Sequence, residues 1–202
     1  LLVAWHWMRE RDRHAAVGLA LSLASGSRLR GATLEHRRLL EMAAEDARAV
    51  GDLRDLAEVL EGLAWVQRSL GEADVAMASI QESVACARAA DEPARLACCL
   101  AALGDHLRLQ GRQQNAEDVL REGLFAAVGA GRPDTEARVR GTLGLCLAGR
   151  GAFELAEESL ELALDLFRSC GNRREEGVMW SHLAALAVRR WRHVEASERY
   201  RE

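Results

Sequence analysis

A leucine followed by a small residue recurs every forty positions along this chain, at Leu23-Ala24, Leu63-Ala64, Leu103-Gly104, Leu143-Gly144 and Leu183-Ala184. Each of the first four pairs is followed by a glycine in the same register, at Gly31, Gly71, Gly111 and Gly151. A single globular core imposes no such spacing. Stacked copies of one supersecondary unit do, because each copy buries its apolar face on the next. The unit is clearest from Ala94 to Gly131, which reads as two amphipathic helices joined at Gln110-Gly111-Arg112. Leu103 and Leu107 share one face of the first helix, beside Gly104. Ala116, Leu120, Gly123 and Leu124 share one face of the second.

The columns of this register define the packing. Ala76, Ala116, Ala156 and Ala196 allow close backbone approach, as do Ala43, Ser83, Gly123 and Ala163 toward the neighbouring pair. Leu40, Ile80, Leu120, Leu160 and Tyr200 fill the space between pairs. Turns between pairs carry stop and start chemistry. Gly51, Gly131 and Gly171 suit positive φ at a helix end, and Pro93 and Pro133 suit a first turn. The expectation is one repeat domain over residues 1–202, cut from a longer protein. Its units fall at about 1–13 (partial), 14–51, 52–91, 92–131, 132–171 and 172–202 (partial). Residues 1–9 match the end of a second helix, with Ala4 and Trp7 in its apolar columns. Trp5 and Trp7 are then expected to cover the apolar face that a missing upstream helix would have covered. A last first-helix is expected from about Arg173 to Arg190, with the start of its partner after it.

Composition narrows the function. Alanine, leucine, arginine and glutamate dominate and favour helix over strand. All 27 basic side chains are arginine, which reads as the codon bias of a GC-rich, bacterial genome. The net charge of −4 argues against nucleic-acid binding. Acids outnumber arginines from Glu41 to Glu92, while the first forty and last thirty residues lean basic. Such a gradient can orient a partner. The five cysteines (Cys86, Cys98, Cys99, Cys146, Cys170) lack disulfide-framework or zinc spacing and read as reduced thiols. No apolar run spans a membrane and no signal peptide is visible, so a cytoplasmic setting is expected.

These columns resemble the tetratricopeptide repeat. They carry its Leu-Gly (Leu103-Gly104, Leu143-Gly144), turn glycine (Gly111, Gly151), alanine (Ala116, Ala156), large apolar (Leu120, Leu160) and small (Gly123, Ala163) positions. The family's usual period is about 34 residues, so both helices are longer here. The early aromatic survives only as Trp180. His36 stands in the alanine column and Trp191 in the glycine column of the end units. The resemblance implies an all-α, right-handed α-solenoid of about five helix-turn-helix repeats. Forty-residue varieties of it occur in sensor and scaffold regions of large bacterial signalling and transcription-regulatory proteins.

The resemblance also implies a concave groove, lined by first helices, that holds a protein or peptide. Carrying its register over residue by residue gives Glu58, Glu61, Trp65 and Arg68 on one helix. The next gives Cys98, Asp105 and Arg108, the next Arg138, Thr142 and Leu145, and the last Ser181, His182 and Arg189. Trp65, between Glu61 and Arg68, suits anchoring of an apolar side chain. Arg108, Arg138 and Arg189 suit an acidic ligand. Glu61 and Trp65 replace the lysine and asparagine of the family's carboxylate clamp, so that role is not expected. His106 and His182 lack a second metal ligand one turn away. Asp105-His106 has no nucleophile of fixed geometry. Cys98 and Cys99 point roughly 100° apart on a helix. No catalysis, cofactor or metal is expected. The reading is a non-catalytic binding scaffold or sensor without direct nucleic-acid or membrane contact. Its rivals are self-association through the open ends, by Trp5 and Trp7 against Tyr200, and a small-molecule sensor with a closed apolar pocket around Leu145 and Trp65.

Overall fold

The computed structural model describes the backbone of residues 2–30 and 32–199 and the side chains of 5–23 and 32–192. Gly31 and Tyr200, and the side chains of Ala4, Ala24 and Ala196, lie outside the described residues. All regular structure among those residues is helical. The order is α1 (Leu2–Arg9), α2 (Arg13–Arg30), α3 (Leu34–Val50), α4 (Leu53–Ser69), α5 (Ala73–Ala89), α6 (Pro93–Leu109), α7 (Gln113–Gly129), α8 (Pro133–Gly149), α9 (Phe153–Ser169) and α10 (Arg173–Arg199). From α4 onward, helices start every twenty residues, so the forty-residue period is two helix-plus-turn steps. The local cause is a left-handed residue at each step. Glycine supplies it at Gly51, Gly71, Gly111, Gly131, Gly151 and Gly171, and Asp91 (φ 51°) at the remaining one. At Gly51 the backbone N–H donates to the Ala47 carbonyl at 3.0 Å, closing α3. Asp52 then opens α4 by accepting the Arg54 and Asp55 N–H groups, each at 3.0 Å.

The chain forms two compact units, Leu1–Ala102 and Leu103–Glu202. In the first, Leu40, Ile80, Ala43 and Ala76 are fully buried. Ser83 donates its hydroxyl to the Ala57 carbonyl at 2.7 Å, so the one polar residue of the small column is satisfied. Asp46, buried on α3, accepts from Arg9 Nε of α1 at 2.9 Å. Trp5 packs on α2. It is fully buried and its indole N–H donates to Ala16 O of α2 at 3.0 Å, so it serves the downstream helix. An indole carries a polar N–H, and the carbonyl that satisfies it decides which way the ring faces. Trp7 corrects an expectation: placed in an apolar column, it is exposed, with the Arg11 guanidinium 3.9 Å from its ring centroid.

The second unit shows the close approach that its glycines permit. A Cβ on Gly104 would stand 2.5 Å from Leu120 Cγ, and one on Gly144 2.7 Å from Leu160 Cγ. Both leucines are fully buried, each contributing roughly 1.5–3 kcal/mol. Phe153, Ala156, Ala163, Leu164 and Phe167 of α9 pack with Met179 and Leu186 of α10 around Leu160. The C-terminal helix is the second correction. α10 does not end near Arg190 but runs unbroken for 27 residues to Arg199. Trp191 occupies the register position of the turn glycine, and an L-residue with a large side chain does not take the left-handed turn. The surrounding Arg189, Arg190 and Arg192 are good helix formers.

Candidate functional site

In the second unit the C-terminal end of α6, with α8 and α10, borders a cleft of about 310 Å³. Five residues expected to face the groove line it: Asp105 and Arg108 from α6, Arg138 and Leu145 from α8, and His182 from α10. Thr142, also expected there, joins them. Gly141, Phe167, Val178 and Met179 make the apolar floor, and Glu175 stands at the rim. Met179 reaches the floor because Gly141 has no side chain: a Cβ there would lie 3.0 Å from its sulfur.

The polar lining is held in place. Arg108 donates to Asp105 Oδ1 from Nη2 at 2.7 Å and from Nε at 3.2 Å. The Thr142 hydroxyl donates to the Arg138 carbonyl at 3.1 Å, so it is engaged with backbone. Arg174 lies 3.6 Å from the Glu175 carboxylate. Burial pushes the His182 imidazole below its ordinary value; Arg108 adds to that, and Asp105 and Glu175 partly offset it. His182 is therefore neutral at pH 7, with one ring nitrogen to donate and one to accept. The cleft offers an apolar floor, guanidinium groups and a neutral imidazole, and no activated nucleophile.

The first unit treats the matching positions differently. Glu58, Glu61, Trp65 and Arg68 do share one face of α4, but Glu61 is only 5% exposed. Its carboxylate lies 3.7 Å from Arg95 Nη1 on α6, and Arg95 Nη2 also bonds Glu58. Trp65 and Arg68 are half-buried. Cys98 is half-buried, while Ser181 and Arg189 are exposed on α10.

No protein-family model matches the chain, and no curated protein does. Solved structures do. BtubC (BKLC) from P. vanneervenii is 16% identical with a TM-score of 0.68, over 98% of this chain and 85% of that one. The STAND protein with a tetratricopeptide repeat sensor from Pyrococcus horikoshii is 17% identical with a TM-score of 0.65, over 88% of this chain and 28% of that one. A Rap protein complexed with competence and sporulation factor is 14% identical with a TM-score of 0.57, over 88% of this chain and 53% of that one. The fold is a tetratricopeptide-type helical repeat.

Some site residues of this repeat were not legible beforehand. Phe167, Val178 and Met179 read as core, and only the glycine at 141 turns that core into a cleft floor. Arg95 carried no signal, since its role depends on two carboxylates one repeat earlier. His14, Asp52 and Asp55 bring their donor atoms within 4.8 Å of one another at the surface of the first unit. There Asp52 is already the cap of α4. Burial disfavours the thiolates: it pushes Cys99 up to about 12, and it raises Cys86 and Cys146 as well. Among the described residues no helix is long and apolar enough to cross a membrane.

Proposed function

We propose that this chain is a non-catalytic protein- or peptide-binding region of a bacterial cytoplasmic signalling or transcription-regulatory protein. Its binding site is the cleft between α6, α8 and α10. The observation that carries this reading is the convergence of Asp105, Arg108, Arg138, Leu145 and His182 on one opening. Its volume of about 310 Å³ suits one or two side chains of an extended segment. An apolar side chain of the ligand sits on Leu145, Phe167, Val178 and Met179. A neighbouring carboxylate meets Arg138, and the neutral imidazole of His182 bonds a backbone amide. Two structural neighbours lend support: one has its repeat as a sensor within a signal-transduction ATPase, and the other is complexed with a factor.

The test is selection from a displayed peptide library against the whole chain and against Arg138→Ala and Met179→Ala. The expected winners place an acidic residue beside a large apolar one and lose at least tenfold in affinity on each variant, with helical content unchanged. Winners indifferent to both substitutions would move the binding site elsewhere and overturn the assignment.

A further inference from the structure

α8 has a second half-buried side. Leu143 and Leu147 lie roughly 180° around the helix from Arg138 and Leu145. There α7, α8 and α9, all within the second unit, border a groove of about 280 Å³. Leu143 and Leu147 line it from α8, and Leu155 and Leu162 line it from α9, where they stay 57% and 42% exposed. The repeat does not require leucine at those two places, since α7 carries Asn115 and Glu122 in the same register. Ser159, between them, is small, and its hydroxyl donates to the Arg140 carbonyl at 2.9 Å. The charges at the groove are unequally committed. Buried Glu117 is held by Arg121 and by Arg150. Arg140 Nε donates to Glu136 Oε1 at 2.7 Å. Along α9, Glu154 and Glu157 share Arg190, at 3.1 and 3.0 Å. Glu158 lines the groove between Leu155 and Leu162, and neither it nor the exposed Glu161 meets a cation among the described residues. Each arginine of the lining has its carboxylate, whereas the carboxylate among the exposed leucines has no cation.

We propose that this groove binds a segment of a partner protein in which a lysine or arginine stands between large apolar side chains. Charge complementarity selects that occupant. The apolar side chains of the segment cover Leu155 and Leu162 and reach Leu143 and Leu147. Its cation meets Glu158, and Glu161 adds to the attraction. An acidic segment would instead set its carboxylate beside Glu158, a like-charge contact that rejects it. The groove shares only α8 with the cleft of Arg138 and His182, uses other side chains of that helix, and favours a ligand of the opposite charge. The two sites therefore stand or fall separately.

The experiment titrates two capped pentapeptides, Ala-Leu-Arg-Leu-Ala and Ala-Leu-Glu-Leu-Ala, into the intact isotope-labelled chain and follows its amide shifts by NMR. The arginine peptide is expected to shift amides of α9 from Leu155 to Leu162 saturably, and to bind at least tenfold more tightly than the glutamate peptide. Glu158→Arg is expected to abolish that preference, and Leu162→Arg to weaken the arginine peptide at least fivefold. Both side chains are exposed, so the rest of the folded spectrum is expected to persist. Met179→Ala, in the other cleft, is expected to leave the titration unchanged. No saturable shift in α9, equal binding of the two peptides, or a preference that survives Glu158→Arg would overturn the proposal. So would self-association of the chain alone that Leu162→Arg abolishes, since the occupant would then be a second copy.

Discussion

Two sets of residues eighty positions apart, and so in the same register, show how one repeat yields two surfaces. In the first unit Glu58, Glu61 and Trp65 lie along α4, and the two carboxylates gather Arg95 between them. In the second unit Arg138, Gly141 and Leu145 lie along α8 and line an open cleft. The helices and turns match. What differs is side-chain size and charge at the middle position, a buried glutamate in one and a bare backbone in the other. Register fixes where a side chain stands, whereas its volume and its ion-pair partner decide whether the face is filled or left open.

The shared part of the comparison is the core, and breaking it has the largest expected effect. Leu160→Ala and Ile80→Ala remove fully buried side chains at one column and are each expected to cost about 2–5 kcal/mol. Urea denaturation measures the loss, and hydrogen exchange is expected to localise it to the unit that carries the substitution. Equal loss of protection in both units would show that they do not respond separately.

The charged faces separate more sharply. Arg95→Met leaves Glu61 buried beside an apolar side chain, with an expected cost of about 3 kcal/mol. Arg138→Met, at the position matching Glu58, is expected to change stability by about 0.5 kcal/mol or less while removing cleft binding. Similar losses of stability from the two would erase the distinction drawn between a structural cation and a binding one.

The middle position can be exchanged directly. Gly141→Glu gives α8 the residue that α4 has at that place, while α10 carries Glu175 where α6 carries Arg95. Its Cβ would press on Met179 from 3.0 Å, so a cost of about 1–3 kcal/mol is expected, together with loss of any ligand that needs the cleft floor. Peptide affinity retained in this variant would place the binding site outside the cleft.

The extent to which the sequence reveals these features follows from their range. The helical repeat is a pattern of local spacing, so Leu-Gly, alanine and large-apolar columns were readable without coordinates. The positions of Asp105, Arg108, Arg138, Leu145 and His182 came from the same register. Arg95 and the cleft floor were not readable. Whether Met179 is core or lining depends on the absence of one Cβ on a different helix, and whether Glu61 is exposed depends on a cation thirty-four residues later. The course of α10 depended on a missing signal, the glycine that Trp191 replaces. Which of Trp5 and Trp7 is buried depends on which indole N–H finds a carbonyl, and Trp5 is the one that reaches Ala16.

A smaller effect tests the turns. Among the described residues Asp91 alone takes the left-handed conformation without being glycine, at a position where six other steps use glycine. Asp91→Gly is expected to stabilise the chain by about 1 kcal/mol, and Gly111→Ala to destabilise it by about 1–2 kcal/mol. Thermal melting compares them. A destabilised Asp91→Gly would mean that the aspartate side chain holds the turn itself.

The smallest effect concerns His182, which belongs to the open cleft and has Gly62 and Thr142 as its counterparts in α4 and α8. Its folded value lies below the ordinary 6.5 because burial and Arg108 disfavour the imidazolium. Between those two values the unfolded chain holds a proton that the folded chain does not. Stability therefore falls as pH drops through 6.5, and levels off once the folded form also protonates. His182→Gln is expected to flatten that part of the profile and leave stability at pH 8 nearly unchanged. A ligand that accepts from the imidazolium would bind more tightly in acid, and one that uses the neutral ring less tightly. The slope of affinity against pH thus reports which form of His182 the cleft presents, and it should vanish in the glutamine variant.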